Sequence, residues 1–377
     1  MSVEPAVLPT PGVVAVAMSG GLDSSVAAAL LRERGEPVVG LSMLLWDHSG
    51  EERNGRCCSS LDLADARRVA DQIGIPHYTL RLDREFRQRV VDPFVEDYLE
   101  GRTPSPCVRC NTWVKFDLLI ERAAQIGAGR IATGHYARIL EGESGWELHR
   151  AVDAEKDQSY YLFELGQEQL EASEFPLGEL RKGEVREWAR RAGLAVAEKG
   201  ESMEVCFVAG GIREFVEREV AAAPDRHSRG TAARSARAAE LVDAEGRRLG
   251  TGDPYYRYTV GQRRGLGLSA AQPLYVLGIE PEANRVRVGP RAGLAQRGLV
   301  GGRVHWVAGA APSGLPMEVT VRIRSRHPGV RAFVAPRGDG VEVEFSDEQQ
   351  GVAPGQAAVF YRGTQILGGC WIEGPLR

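Results

Sequence analysis

The stretch Ser19-Gly20-Gly21-Leu22-Asp23-Ser24, a glycine-rich turn, decides the fold of this chain. The apolar run Val13–Ala17 precedes it and a helical stretch begins near Ser25, so the order is strand, turn, helix. In that arrangement backbone N–H groups and a helix N-terminus cradle a phosphate, and glycines let the backbone approach closely. The turn could also be an ordinary tight turn of an α/β sheet, but the six-residue string in this position favours phosphate binding.

The chemistry of the turn points to one kind of nucleotide reaction. It lacks the lysine of the GxxxxGK[ST] phosphate loop, which reaches the β- and γ-phosphates. Hydroxyl donors at Ser19, Ser24 and Ser25 and a carboxylate at Asp23 are present instead. Such a site holds and releases pyrophosphate, so we expect adenylation at the α-phosphate of ATP rather than transfer of the γ-phosphoryl group.

Composition excludes several classes of protein. A chain of 377 residues predicts two or three domains, and 43% hydrophobic with 26% charged residues is typical of globular proteins. No apolar stretch approaches the length of a membrane span and no secretion signal is evident, so we expect a cytoplasmic protein without a membrane partner. The net charge of −4 argues against a uniformly basic nucleic-acid binder, although not against a local basic patch.

The first half alternates short apolar runs with amphipathic stretches. This pattern predicts an α/β fold, a Rossmann-like parallel sheet with helices on both faces. Ligands bind at the carboxyl ends of such strands, where Met43 and Gly134-His135 also fall. The predicted strands are Val13–Ala17, Val38–Met43, His77–Leu82 and Arg130–Thr133, and the predicted helices are Leu61–Ile73, Glu85–Leu99, Trp113–Gly127 and residues 182–193.

Helical signals vanish after residue 253. Short β-branched runs separated by Gly, Pro and Asn follow, which predicts a small antiparallel β-barrel. The Ala/Arg-rich stretch Thr231–Glu240 is predicted to be a flexible insert. The runs are Arg285–Val288, Val304–Val307, Glu318–Arg324, Val341–Phe345, Ala357–Tyr361 and Ile366–Ile372.

Six cysteines in a chain of this length do not suggest a secreted disulfide framework. Cys107-Val108-Arg109-Cys110 follows two prolines, which predict an extended loop. A zinc site would need further paired ligands, and a thioredoxin-like redox pair would start a helix after a strand. A third possibility pairs Cys110 with the distant Cys206, which requires the fold to bring them together. Cys57, Cys58 and Cys370 are interpreted as bystanders.

Seven strings together resemble the bacterial tRNA-specific 2-thiouridylases (MnmA family) of the PP-loop ATP pyrophosphatase superfamily. The first string indicates only the superfamily, whereas the two cysteine strings and GQRRGLG narrow the resemblance to this family. They are AMSGGLDS at 17–24, GRTPSPCVRCN at 101–111, ATGHYAR at 132–138, KDQSYYL at 156–162, ESMEVCF at 201–207, YTVGQRRGLGL at 258–268 and PGQAAVFY at 354–361.

The resemblance implies ATP-dependent 2-thiolation of the wobble uridine, position 34, in tRNAs for Lys, Glu and Gln. ATP, with Mg²⁺, would adenylate the C2 oxygen, and sulfur would then replace it with release of AMP. A cysteine desulfurase or a sulfur-relay protein would be the sulfur donor. Three domains are implied: a PP-loop catalytic domain at 1–208, a linking and tRNA-contact domain at 209–278, and a β-barrel domain at 279–377.

The resemblance also assigns roles to residues. Cys206 matches the persulfide carrier and Cys110 the partner nucleophile, which can resolve an S–S bond by thiol exchange. No metal ligands are assigned. ATP-binding positions are Ala17, Met18, Ser19, Gly20, Gly21, Leu22, Asp23, Ser24, Met43 and Gly134. Positions that contact tRNA are Ser105, Pro106, Cys107, His135, Lys156, Asp157, Gln158, Arg263, Arg324 and Gln356.

The chain departs from the family pattern in two strings. Much of the family carries Asn and Asp where this chain has Ser105 and Cys107, and Arg-Tyr where it has Arg324-Ser325, so a stacking aromatic is missing. Three thiolates, from Cys107, Cys110 and Cys206, also allow a [4Fe–4S] cluster with one open iron, which would replace the persulfide route. The sequence also leaves open an amide-forming PP-loop ligase and a non-enzymatic RNA-binding or iron–sulfur scaffold protein.

Overall fold

A parallel β-sheet with helices on both faces forms the first half of the chain, as the sequence predicts. The structure is a computed structural model that describes residues 12–46, 60–200, 205–208, 210–222 and 237–376. The strands up to residue 174 are β1 (Val13–Ala17), β2 (Val38–Leu44), β3 (His77–Arg81), β4 (Ala128–Thr133), β5 (Ala137–Gly142), β6 (Gly145–Arg150) and β7 (Ser173–Glu174). The parallel sheet has the order β3-β2-β1-β4-β7, while β5 and β6 form a hairpin outside it.

The central strand shows why the sheet is covered on both sides. Val13 and Ala15 pack into one apolar cluster, whereas Val14 and Val16 pack into another on the opposite face. Because successive strand residues point to opposite faces, a strand buried on both sides must be apolar throughout. The run Val13–Ala17 meets this requirement, and its carboxyl end leads into the glycine-rich turn.

The helices in chain order are α1 (Leu22–Glu33), α2 (Ser60–Ile73), α3 (Asp83–Phe86), α4 (Asp92–Leu99), α5 (Pro106–Cys110), α6 (Leu119–Gln125), α7 (Gln167–Glu171), α8 (Lys182–Arg191) and α9 (Ile212–Ala222). Wider π-type turns at Arg87–Val91 and Asn111–Leu118 join α3 to α4 and α5 to α6. The cysteine pair therefore lies in one helical run, Pro106–Gln125.

The prediction that the cysteine pair lies in an extended loop was wrong. Pro106 occupies the first helical position, where its missing N–H is not needed and its fixed φ suits the helix. Only Ser105, the residue before the proline, keeps a non-helical conformation, with φ −116° and ψ 78°. The cysteines consequently lie at the start of a helical run, with Cys107 in its first turn and Cys110 at the end of α5.

A closed six-stranded antiparallel barrel forms the end of the chain. Its strands have the order β12-β15-β14-β13-β16-β17, and β12 also pairs with β17, which closes the barrel. The hairpin of β5 and β6 extends this sheet through pairing of Leu148 with Ile366, a connection that the sequence did not predict. The strands are β12 (Ala295–Trp306), β13 (Met317–Arg322), β14 (Val330–Arg337), β15 (Gly340–Gln350), β16 (Ala357–Arg362) and β17 (Gln365–Pro375).

A separate four-stranded sheet lies between the two larger ones in the sequence. It consists of β8 (Ala238–Val242), β9 (Arg248–Pro254), β10 (Tyr275–Glu280) and β11 (Arg285–Gly289). Two predictions were wrong here. The run Arg285–Val288 pairs with β10 and β8 rather than joining the barrel, and the predicted flexible insert already contains the first residues of β8. The domain boundaries at 208 and 278 stay predictions.

Within the part of the chain that the structure describes, every helix is too short or too polar to cross a lipid bilayer.

Candidate active site

The glycine-rich turn is shaped by contacts that only glycine allows. Gly20 has φ +71°, and a Cβ at this position would lie 2.0 Å from the carbonyl oxygen of Asp62. Gly134, at the end of β4, faces the start of α1 so closely that a Cβ would lie 2.6 Å from the amide nitrogen of Ser24. The turn, β4 and the N-terminus of α1 therefore meet without intervening side chains.

The serine hydroxyls of the turn bind the turn itself. Ser25 Oγ donates to the carbonyl of Gly21 at 2.8 Å, and the amide of Ser19 donates to Ser24 Oγ at 3.1 Å. These bonds hold the loop in the conformation that leaves the first amide groups of α1 without helical acceptors. The N-terminus of a helix in this state attracts an anion.

A cavity of about 580 Å³ opens at this edge of the sheet. Its wall contains every predicted nucleotide-binding residue except Gly20. Four lysines, Lys115, Lys156, Lys182 and Lys199, also line it. The sequence suggested a phosphate site without a lysine, but the fold brings lysines from distant segments to the same cavity, where they outnumber the two carboxylates of the wall, Asp23 and Asp62.

Lys182, the first residue of α8, bonds directly to the turn. Its ammonium nitrogen lies 2.7 Å and 2.8 Å from the two carboxylate oxygens of Asp23. The hydroxyl of Tyr136 donates to the same carboxylate at 2.9 Å. Asp23 is thus neutralised and oriented by two residues that sequence reasoning did not select, although Tyr136 lies inside the ATGHYAR string.

Lys199 secures the other side of the turn. Its ammonium group donates to the carbonyl of Gly20 at 2.9 Å and to Asp62 and Asp65, each at 2.7 Å. Burial would lower the pKa of Lys199, but the two carboxylates raise it above its usual value. The lysine is therefore a fixed positive charge that ties the turn to α2.

A single carboxylate positions two of the cavity lysines. Asp153 is buried, and its Oδ2 accepts the backbone N–H of Lys182 at 2.9 Å. Its Oδ1 accepts the N–H groups of Glu155 and Lys156 at 3.1 Å and 3.3 Å. Burial would raise the pKa of Asp153, but these backbone hydrogen bonds outweigh it and lower the pKa. The charged carboxylate thus links the start of α8 to the segment that carries Lys156.

His135 lies in the wall of the cavity rather than on an open surface. It is 8% exposed, its Nδ1 lies 2.7 Å from Thr133 Oγ1, and its ring packs against Phe116 and Phe175. Burial and, secondarily, the charge of Lys115 lower the pKa of His135 well below its usual value. This environment favours a neutral imidazole in the cavity wall, and the tRNA contact that the resemblance implies for His135 stays a prediction.

The helical run Pro106–Gln125 connects the cysteines with the cavity. Cys107 is exposed and Cys110 is buried at its start, and Lys115, on the same run, lines the cavity. Cys110 precedes Lys115 by five residues on this run, so one continuous helical segment carries both the thiols and a cavity lysine. Ser105 and Pro106, also predicted to contact tRNA, are buried at the start of this run.

The barrel holds the loop before the cysteines. The side-chain amide of Gln356 donates to the carbonyls of Thr103 and Pro104, at 2.9 Å and 3.1 Å. The amide of Thr103 in turn donates to the carbonyl of Pro354 at 2.8 Å. Gln356, predicted to contact tRNA, therefore positions the cysteine-bearing loop in this structure.

Asp157 and Arg322 form a second link between the two halves. The side chain of Asp157 is 1% exposed and accepts hydrogen bonds from Arg150 at 3.0 Å and Arg322 at 2.9 Å. This burial gives Asp157 a structural role beside Lys156 and Gln158, which do line the cavity. Arg324 is exposed and donates to the carbonyl of Gln350 at 3.1 Å.

Cys206 is half-buried and packs on the same apolar cluster that contains Cys110. Its neighbour Phe207 is anchored edge-on against Phe94, with ring centroids 5.1 Å apart. Cys57 and Cys58 lie outside the described residues, and Cys370 is buried in the barrel. Arg263 is exposed in the middle part of the chain and lies on the surface of a separate depression.

The residues present fit magnesium better than an iron–sulfur cluster. Mg²⁺ in nucleotide sites is held by one or two carboxylates together with substrate phosphates, and Asp23 and Asp62 supply carboxylates in the cavity wall. Among the described residues, no three His, Cys, Asp or Glu side chains come together as a metal site. The three cysteines that an iron–sulfur cluster would require are thus not arranged as a preformed ligand set.

Three family models match successive parts of the chain. The tRNA methyl transferase HUP domain matches residues 12–210, the tRNA methyl transferase PRC-barrel domain residues 233–290, and the aminomethyltransferase beta-barrel domain residues 296–372. These ranges agree with the three sheets of the structure, except that the β5–β6 hairpin lies in the first range and pairs with the barrel.

Curated relatives match nearly the whole chain. The tRNA-specific 2-thiouridylase MnmA of Geotalea uraniireducens is 47% identical over 368 residues, which cover 96% of this chain and 94% of the relative. The protein of the same name from Geobacter metallireducens is 48% identical over 371 residues, covering 96% and 97%. At this identity and coverage, the chain belongs to the tRNA-specific 2-thiouridylase (MnmA) family of sulfurtransferases.

Proposed function

We propose that this protein uses ATP to convert the C2 oxygen of the wobble uridine of tRNA to sulfur. The relatives named as tRNA-specific 2-thiouridylases support this substrate and reaction class. One structural observation carries the proposal to the site. The helical run that begins with Cys107 and Cys110 continues to Lys115, in the wall of the lysine-lined cavity. A nucleotide and a thiol can therefore act on one base.

The first step is adenylation. The triphosphate would lie against the amide groups at the start of α1, with Lys182 and Lys199 beside it. The C2 oxygen of the uracil attacks the α-phosphorus, an O–P bond forms, and pyrophosphate leaves. Bound Mg²⁺ would neutralise charge on the phosphates. The C2 oxygen thereby becomes part of AMP, a far better leaving group.

The second step is sulfur transfer. The terminal sulfur of a persulfide on Cys206 attacks C2, and AMP leaves with the original oxygen. The Cys110 thiolate then attacks the Cys206 sulfur, which breaks the S–S bond to the substrate sulfur and leaves a C2=S group and a Cys110–Cys206 disulfide. An external thiol reduces this disulfide, and a sulfur-donor protein restores the persulfide. Cys107 takes no part in this scheme.

A flipped base in a single-stranded loop suits this arrangement. Bases in RNA loops are already unpaired, so moving one into a pocket costs less than extracting it from a duplex. Arg263 and Lys156 would contribute phosphate contacts, which would make tRNA binding depend on salt. The preferred acceptors would be the tRNAs for Lys, Glu and Gln.

The experiment is a reconstituted reaction with ATP, unmodified tRNA and a persulfide donor, followed by mass spectrometry of the nucleosides. We expect 2-thiouridine at the wobble position together with stoichiometric AMP and pyrophosphate. Cys206→Ala and Cys110→Ala should each abolish the thiolated product. If Cys206→Ala still forms 2-thiouridine, Cys206 is not the sulfur carrier. If the wild-type protein releases AMP and pyrophosphate but forms no 2-thiouridine, it is an amide-forming or other PP-loop enzyme instead. If ATP is not consumed, it is a binding protein.

The same assay separates the two sulfur routes. Aerobically purified, iron-free Cys107→Ser protein should retain substantial thiolation with a persulfide donor. Activity that follows iron content strictly after anaerobic reconstitution, and that Cys107→Ser abolishes, would replace the persulfide scheme by a cluster-dependent one.

A further inference from the structure

Tyr161 lies where three segments meet: its own string at 156–162, the cysteine-bearing helical run, and a turn of the barrel. Its N–H donates to the carbonyl of Gln158 at 2.9 Å, within the string that lines the cavity. The side-chain amide of Asn111 donates to the carbonyl of Tyr161 at 3.1 Å. Asn111 stands four residues after Cys107 in the same helical run, so the two share a helix face. Tyr161 thus lies beside the exposed thiol.

The third segment beside Tyr161 is a turn of the barrel. Arg322 bonds to Asp157 at 2.9 Å and donates from its other terminal nitrogen to the carbonyl of Ser325. The turn that contains Ser325 is therefore fixed against the segment that contains Tyr161. The side chain of Ser325 is a hydrogen-bonding neighbour of the Tyr161 hydroxyl, and Cys107 lies near enough to influence this phenol electrostatically.

The exposure of Tyr161 distinguishes it from its neighbour. Tyr160 is fully buried and donates its hydroxyl to the carbonyl of Ala357 at 2.9 Å, which is a structural role. Tyr161 is only partly buried, and its ring meets that of Tyr160 edge-on, with centroids 5.4 Å apart. One ring is therefore held rigidly by a core residue while still offering surface to a ligand.

We propose that Tyr161 provides the aromatic face on which the target uracil stacks, next to the Cys107 thiol. A base that leaves its loop needs a new stacking partner, and aromatic side chains supply it. Ser325 aligns with the position where the family pattern has a stacking aromatic. Because Ser325 neighbours Tyr161, the Tyr161 ring can take the place of that aromatic from a different segment. The inference rests on the proposed tRNA thiolation.

A tyrosine hydroxyl is protonated around neutral pH, and burial raises the pKa of Tyr161 further. The ring then faces the base as a neutral aromatic group. A charged phenolate, by contrast, would repel the carbonyl oxygens of uracil and the phosphates of the loop.

The test uses an anticodon stem-loop with 2-aminopurine at the wobble position, whose fluorescence falls when it stacks on an aromatic ring. Wild-type protein and Tyr161→Phe should quench the probe, and Tyr161→Leu should not. With tRNA as substrate, Tyr161→Leu should raise KM or lower kcat/KM about 10- to 100-fold, whereas Tyr161→Phe should stay within about 2-fold. Tyr78→Leu, which replaces an exposed tyrosine on β3, is the control.

A second variant guards against a folding defect. In Tyr161→Leu protein, adding Ser325→Tyr returns a ring to the same place from the barrel, and quenching should recover at least in part. A merely structural role of Tyr161 would not be rescued in this way. Equal quenching by Tyr161→Leu and wild-type protein, or loss of quenching without rescue, overturns the inference. If the wild-type protein forms no 2-thiouridine, the proposed function fails first, independently of Tyr161.

Discussion

Lys182 holds both carboxylate oxygens of Asp23, at 2.7 Å and 2.8 Å, across 159 residues of sequence. The glycine-rich turn lacks a lysine of its own, and α8 provides one at its first residue. The ion pair fixes the ammonium group beside the turn and cancels the negative charge of Asp23, which would otherwise face the phosphates of ATP. Tyr136 completes the arrangement by donating to the same carboxylate.

Replacing Lys182 with Ala should weaken ATP binding. A charge-assisted hydrogen bond is worth about 1.5–3 kcal/mol, which corresponds to a roughly 10- to 150-fold higher Kd for ATP. The loss also leaves the Asp23 carboxylate facing the phosphates without its cation. Isothermal titration calorimetry with ATP measures the change. Arg190→Ala, on the exposed face of the same helix, is the matched control and should bind ATP normally. Unchanged affinity in Lys182→Ala would remove this lysine from the phosphate site.

The sequence predicted the local parts of this site but not its assembly. The apolar run Val13–Ala17 and the glycines of the turn are adjacent in sequence, so apolar patterning and turn chemistry were sufficient to place them. Lys182 and Lys199 come from segments whose local pattern indicates only a surface helix and a loop. Their role depends on tertiary contacts, which no spacing rule encodes. Tyr136 lies within the ATGHYAR string, but the string pointed to its neighbours Gly134 and His135 instead.

The helix that carries Cys107 and Cys110 was predicted wrongly for a different reason. Two prolines were interpreted as marks of an extended loop, yet Pro106 starts a helix because proline is favourable at the first helical position. The first proline of the pair, Pro104, does belong to a loop, and the barrel holds its carbonyl through Gln356. A proline favours either an extended loop or the first position of a helix. The sequence did not show which of the two prolines marks the helix start.

Asp153 should couple the two lysine-bearing segments of the cavity. Asn at this position keeps one oxygen acceptor but presents an NH₂ group to either Lys182 or Lys156, so at least one segment loses its anchor. We expect Asp153→Asn to raise the KM for ATP about 5- to 20-fold, in line with the loss of hydrogen bonds to a charged group. Steady-state kinetics with varied ATP measures it.

The control for Asp153 is Asp243→Asn. Asp243 likewise accepts backbone N–H groups, from Glu245 and Arg247, but it lies in a turn of the middle sheet. Equal kinetic effects of the two substitutions would mean that turn stability, and not the placement of the cavity lysines, is responsible.

Gln356 should matter for sulfur transfer and not for nucleotide binding. Gln356→Ala removes two hydrogen bonds to the loop before the cysteines, and each is worth about 1 kcal/mol. We expect faster hydrogen exchange in residues 102–106 and a lower single-turnover rate of thiolation, with an unchanged Kd for ATP. Gln349→Ala removes a barrel glutamine whose amide donates to carbonyls of its own strand and whose side-chain oxygen contacts His327, and it should leave both quantities unchanged. Weaker ATP binding in Gln356→Ala would contradict this separation.

His135 should make the folded state sensitive to mild acid. Burial lowers the pKa of His135 well below the usual value of about 6.5. Below pH 6.5 the unfolded chain therefore binds a proton that the folded chain does not bind. The resulting contribution to stability is present in full above pH 6.5 and is lost as the pH falls below it, by at most about 1.4 kcal/mol per pH unit. Thermal unfolding at pH 7.5, 6.5 and 5.5 (about one unit on either side of the usual pKa) measures the slope.

The variant His135→Gln tests the assignment. It is expected to be less stable at every pH, because the ring contacts with Phe116 and Phe175 are lost. Its stability should nevertheless depend less on pH than that of the wild type, since one proton no longer distinguishes the folded from the unfolded state. Some dependence will remain, because burial also lowers the pKa of His77 and His327. A slope in His135→Gln equal to that of the wild type would show that the imidazole takes up its proton in the folded protein, and that the cavity wall is open to solvent at this position.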